Sequence, residues 1–183
     1  MKAINLIFLM FFFLTLNVVH ATDITSCTTI SSPGYYRLVD DLSSSGTCIN
    51  ITSSDVIFDG NGHSITGTDL DDTYGIYVYN STQTLTNITL KNVVLSHWNR
   101  GIYIRNSGDV AIQNITSFLN TVGTSTYYSS GIYSTSSYNL SIKDANGSYN
   151  DYGILFWNVE NSSIKNSIFN DNTYYGIWLR SNS

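Results

Sequence analysis

Methionine disappears from this 183-residue chain after Met10, glutamate occurs once, at Glu160, and proline once, at Pro33. Alanine is confined to Ala3, Ala21, Ala111 and Ala145. With Ala, Glu and Met nearly missing, a helical bundle is excluded. Ser, Thr, Asn, Tyr and Ile take their places and favour strands and turns. Positive charge is scarce as well. Once Lys2 is set aside with the leader discussed below, thirteen Asp and Glu face seven Lys and Arg, a formal charge of −6. Such a chain lacks the clustered Lys and Arg that nucleic acid requires, and it is not drawn to anionic membrane surfaces. Cysteine is limited to Cys27 and Cys48.

The one long apolar run lies at the start. Lys2 precedes an unbroken stretch from Leu6 to Leu14, extended to Val19, and Val19-His20-Ala21 has the small-residue pattern of a cleavage site. Residues 1–21 therefore read as a secretory signal peptide, because the run is shorter than the roughly 20 residues of a membrane span. The expected product is secreted or held at the cell surface, with no membrane insertion after the signal is removed. In an exported chain, an isolated cysteine pair is read as a disulfide between Cys27 and Cys48. A metal site at these cysteines would need His or further Cys ligands nearby, and none are present.

What the chain does have is a repeat. Gly-Ile recurs at Gly75, Gly101, Gly131, Gly153 and Gly176, at intervals of 26, 30, 22 and 23 residues. A second apolar column follows at Phe58, Leu90, Ile112, Ile142 and Ile164. Each interval divides into two halves of about eleven residues with extra residues at a few turns. That period marks a solenoid, in which no repeat buries its apolar face alone. Aligned on the glycines, positions one, three and five are expected to point inward, the fifth (Asn80, Asn106, Ser136, Asn158, Ser181) as an interior amide and hydroxyl ladder. Positions two (Tyr77, Tyr103, Tyr133, Leu155, Trp178) and four (Tyr79, Arg105, Thr135, Trp157, Arg180) are expected to point outward. Like residues stacked on like residues require parallel, in-register strands. The expected fold is all-β: a right-handed parallel β-helix of about six coils, with residues 22–48 as a disulfide-closed lead-in or cap and 49–183 as the repeats.

The segment Cys48-Ile49-Asn50-Ile51, then Val56 to Gly67 with Asp59-Gly60-Asn61-Gly62-His63, followed by Gly-Ile repeats, resembles the right-handed β-helix repeat proteins of the pectin-lyase-like superfamily. The likeness is greatest to the NosD-type and the carbohydrate-binding and sugar-hydrolase-type repeats of exported surface proteins. Pro33-Gly34-Tyr35-Tyr36 and Leu38 look like their lead-in. The resemblance covers residues 27–183 and implies a shared scaffold more than a shared activity.

Similar hydrolases carry several Asp on neighbouring strands with a Gly-His-Gly and an Arg-x-Lys segment, and both segments are missing here. Similar lyases use Asp-bound Ca²⁺ with a basic residue, whereas Arg100 and Arg105 lack an aligned acidic cluster. No catalytic residue is assigned. The NosD likeness raises copper, which needs soft thiolate, thioether or imidazole ligands. His63 and His97 lie in different coils, both cysteines are paired, and no Met remains after the signal. No metal or cofactor is expected.

The leading expectation is a non-catalytic repeat module that is structural or binds a polysaccharide or other glycan. A polysaccharide lyase or glycoside hydrolase is the alternative. Sugar contacts are expected from the outward aromatics Tyr77, Tyr103, Tyr133, Trp157 and Trp178. A pocket is expected where two longer loops, residues 66–73 and 119–130, enter at one corner: Asp69, Asp71, Asp72, His97, Trp98, Arg100, Tyr127 and Tyr128. Asn-x-Ser/Thr sequons stand at Asn50, Asn80, Asn87, Asn114, Asn139, Asn146 and Asn161. Asn80 and Asn114 are set aside as inward-facing, which leaves Asn50, Asn87, Asn139, Asn146 and Asn161 as glycosylation candidates. The last repeat stops half a coil after Gly176, so the sequence reads as a fragment or as one whose C-terminal coil, otherwise uncapped, meets a covering partner.

Overall fold

The computed structural model describes residues 20–122 and 128–181. The leader up to residue 19, and with it nearly all of the expected signal peptide, lies outside the described residues, as does Tyr127. Two parallel sheets wind around one core. The first contains β1 (Thr22–Ile24), β3 (Gly34–Leu38), β4 (Leu42–Ser43), β6 (Val56–Asp59), β7 (Ser64–Thr66), β9 (Ile88–Ser96), β11 (Val110–Phe118), β13 (Ser141–Lys143) and β15 (Ser163–Lys165). The second contains β2 (Thr28–Ile30), β5 (Ile49–Ile51), β8 (Tyr74–Val78), β10 (Arg100–Arg105), β12 (Ser130–Tyr138), β14 (Tyr152–Glu160) and β16 (Tyr175–Arg180). This is a right-handed parallel β-helix. The lead-in joins both sheets, β1 pairing with β3 and β2 with β5, and Cys27 and Cys48 form a disulfide between successive rungs.

The isoleucines stack directly: Ile49, Ile76, Ile102, Ile132, Ile154 and Ile177 are successive partners. On the other sheet Phe58, Leu90, Ile112, Ile142 and Ile164 do the same. Ile76, Ile102 and Ile154 are wholly buried, so the columns form one continuous apolar interior, the main source of stability in any solenoid. The repeated glycine serves close packing. A Cβ on Gly75, Gly131 or Gly153 would lie 2.4–2.8 Å from the carbonyl oxygen of the next coil's glycine, a distance the backbone cannot relieve.

The corners turn on residues in the left-handed region. One column is Asp55, Asn87, Asp109, Asn139 and Asn161, another Asn61, Asn92, Asn114, Asp144 and Asn166, all with φ between 49° and 59°. Asn and Asp tolerate this conformation better than other residues with side chains. The left-handed corners correct one expectation. Asn106, Ser136 and Asn158 also have positive φ, which breaks the two-residue alternation, so this column faces solvent instead of the interior. Ser107 and Ser137, one residue later, are buried in its place, and Ser107 N–H donates to Ser137 Oγ. Asn114 is exposed for the same reason, so its sequon is not hidden. Asn80 is half-buried and donates to Thr52 O at 2.9 Å.

An interior amide ladder does exist, at a different corner. Trp98 N–H donates to Asn120 Oδ1 at 3.0 Å, Asn120 N–H to Asn150 Oδ1 at 3.0 Å and Asn150 N–H to Asn172 Oδ1 at 2.8 Å. Asn120 and Asn150 are almost completely buried, so each amide satisfies backbone that would otherwise be orphaned.

Candidate functional site on the outer face of the second sheet

The glycine-centred turn into each strand places the residue before glycine on the same outer face as positions two and four. Three columns result: Tyr74, Arg100, Ser130, Tyr152 and Tyr175; then Thr29, Asn50, Tyr77, Tyr103, Tyr133, Leu155 and Trp178; then Tyr79, Arg105, Thr135, Trp157 and Arg180. Counting strict alternation missed the first column, although the aromatic or basic residue beside four of the five glycines was its signal.

In-register stacking holds the tyrosines face to face. Tyr77 and Tyr103 stack at 5.0 Å and 19°, and Tyr103 and Tyr133 at 5.0 Å and 14°. The guanidinium of Arg100 lies over Tyr103 at 4.8 Å and Tyr133 at 4.7 Å. Tyr103, stacked on both sides, offers its edge and hydroxyl, not an open face, to a ligand. Burial pushes the hydroxyls of Tyr77, Tyr103 and Tyr133 above the ordinary phenol range. Burial does the same to Tyr74, reinforced by its hydrogen bond to Asp72. Every one of them is a neutral hydroxyl at physiological pH.

Higher on the face the columns open. Trp157 packs with Arg180 above its ring at 4.1 Å, and a groove of about 390 Å³ is lined by Tyr103, Arg105, Tyr133, Thr135, Ser136 and Trp157. Tyr128 packs against Tyr152, Trp157 and Trp178. Five of the expected aromatics, Tyr77, Tyr103, Tyr133, Trp157 and Trp178, thus share one surface.

The expected corner pocket is distributed differently. Trp98 is wholly buried, its indole N–H donating to Ile65 O at 3.1 Å, so its ring belongs to the core. His97 Nδ1 lies 3.0 Å from Asp69 Oδ2, both residues forming the turn. Asp71 is exposed beside that turn. Asp72 accepts from Tyr74 OH, and Arg100 Nη1 donates to the same hydroxyl oxygen at 3.2 Å, so this pair belongs to the outer face. Of the glycosylation candidates, Asn87, Asn139, Asn146 and Asn161 are exposed and Asn50 is half-buried. Asn87 and Asn139 spend their amides on Asp55 and Asp109, at 2.7 Å and 2.9 Å.

The family model described as "Periplasmic copper-binding protein (NosD)" matches the chain over residues 20–183. No curated protein and no solved structure matches it.

Proposed function

We propose, from the premise that this chain belongs to the NosD family, that this exported β-helix repeat module works at the cell surface without catalysis and holds polysaccharide on the outer face of its second sheet. The observation carrying the reading is the upper groove, lined by Trp157, Arg105 and the hydroxyl-bearing residues Tyr103, Tyr133, Thr135 and Ser136. A flat ring beside hydrogen-bonding edges suits a sugar, which has an apolar face and a polar rim. Four of the acids have structural partners. Asp23 pairs with Arg37, Asp41 with Ser64 N–H, Asp55 with Asn87 and Asp109 with Asn139.

The copper in the family's description does not fit the residues present. Both sulfurs are committed to the Cys27–Cys48 disulfide. His63 and His97 stand in different coils, beside Asp41 and Asp69 respectively. Among the described residues no three His, Cys, Asp or Glu side chains gather, and no step is derived through a metal.

The test is retention on a panel of immobilised neutral and acidic polysaccharides, with release of reducing-end or unsaturated products assayed in parallel. Retention that weakens in Trp157→Ala without product release supports the reading. Retention unchanged in Trp157→Ala, or product formation, overturns it.

A further inference from the structure

The tyrosine stack stops abruptly at its lower end. β8 carries Tyr74 and Tyr77 on the outer face and Tyr79 follows it directly, with ring centroids 5.0 Å and 5.6 Å apart along the chain. The rung beneath, on and around β5, presents Thr47, Cys48, Asn50 and Thr52 and no aromatic ring, with Asn50 directly partnered to Tyr77. A step results, one wall made of three rings and the floor of small polar groups. Two grooves of about 530 Å³ and 290 Å³ occupy it and share Asn50 and Tyr77. The Cys27–Cys48 bridge closes one end, and Asn80 and Ser81 border the other.

Two further observations point to an occupant. Asn50 Oδ1 is buried and finds no hydrogen-bond partner, which a native structure rarely leaves without compensation. The charged group lining the step is a carboxylate, Asp72, beside the hydroxyls of Thr28, Thr29 and Thr47. Asp72 accepts hydroxyl donors and repels anions. The shape is a trough running along the strand, so it fits an extended ligand better than a single small molecule.

We propose that this step is a second binding site, for a short uncharged glycan lying along β5, its pyranose rings against Tyr74, Tyr77 and Tyr79, with the half-buried Asn50 side chain rotating so that its orphaned Oδ1 accepts from a sugar hydroxyl. The site goes beyond the polysaccharide contact proposed above. It lies on the same face, on the other side of the Tyr77–Tyr103 stack, and selects for neutral sugars.

The test is isothermal titration of the protein, made in a host that attaches no N-glycan to Asn50, with cellotetraose, mannotetraose and xylotetraose, and with tetragalacturonate as the acidic comparison. At least one neutral tetrasaccharide binds, and tetragalacturonate binds at least tenfold more weakly. Asn50→Tyr adds a fourth ring to the stack, fills the step and abolishes that binding. Asp72→Asn weakens it about tenfold. Tyr149→Ala, an exposed ring at a corner away from this face, binds as the parent does, and circular dichroism confirms that each variant is folded. Neutral binding that survives Asn50→Tyr, acidic binding equal to neutral, or no neutral binding at all overturns the proposal. Polymer retention sensitive to Trp157→Ala would survive each of these results, so the two readings fail separately.

Discussion

Asn120 N–H and Asn120 Nδ2 both donate to Oδ1 of Asn150, at 3.0 Å and 2.8 Å. A single amide oxygen from one coil thus satisfies two donors of the coil before it. Asn150 Nδ2 meanwhile donates to Ser117 O at 2.8 Å and Ser148 O at 3.2 Å. Removing this amide orphans several buried groups at once, each costing about 1–3 kcal/mol. Asn150→Ala is expected to destabilise the protein by about 3 kcal/mol or more, read as a lower urea midpoint. A midpoint within error of the parent would show that the ladder is dispensable.

Gly101 faces Ser117, whose hydroxyl donates to Gly131 O at 2.9 Å. A Cβ at Gly101 would sit 1.9 Å from that hydroxyl oxygen and 2.8 Å from Gly131 O. Gly101→Ala should therefore cost about 3 kcal/mol through overpacking. Ser117→Gly in the same background should recover part of the loss, because the backbone clash remains.

Asp59 is the most heavily hydrogen-bonded acid of the first sheet. Burial alone would raise its pKa, but donation from Asn92, Asn61 N–H, Tyr35 and Lys91 outweighs burial and holds it below the ordinary carboxylate value. A lowered folded-state pKa contributes stability that is complete above about pH 4 and is lost as pH falls through the folded value. Thermal melts of the parent should therefore drop more steeply than those of Asp59→Asn as pH is lowered from 4. Parallel curves would remove Asp59 as the cause.

Trp98 and Trp157 should respond oppositely to truncation. Trp98→Ala empties a fully buried site and should cost about 3–5 kcal/mol, with any loss of glycan retention following the loss of folded protein. Trp157→Ala touches a partly exposed ring and should leave the urea midpoint nearly unchanged while retention falls. Equal effects of the two on stability would contradict the burial difference.

The coil period was legible because side-chain identity repeats wherever strands stack: Ile under Ile, Tyr under Tyr. Orientation was legible only between corners. At Asn106, Ser136 and Asn158 a left-handed residue inserts half a turn into the alternation, and nothing in Asn or Ser announces whether it will do so. The amide ladder escaped notice for a related reason. Asn150 stands three residues before Gly153, but the loop following Asn120 sets that residue eleven before Gly131, so glycine alignment scatters the column. Trp98 was misleading because a large aromatic beside His97 and Arg100 looks like a binding wall, whereas its place in the coil below Asn120 buries the ring and makes its backbone N–H the first donor to the interior ladder. The step along β5 was invisible to column counting, since it is defined by where the tyrosines cease.

The Cys27–Cys48 bond spans 21 positions and lies beside the Thr28–Ile49 partnership of β2 and β5. Nearly every other inter-strand contact in this architecture must gather residues a full circuit apart, so the initial circuit is the hardest to close. Oxidation staples that circuit independently of any neighbour, leaving a preformed template on which later windings can lay down one after another. A chain emerging N-terminus first into an oxidising compartment would thus acquire its seed before most of its length has arrived.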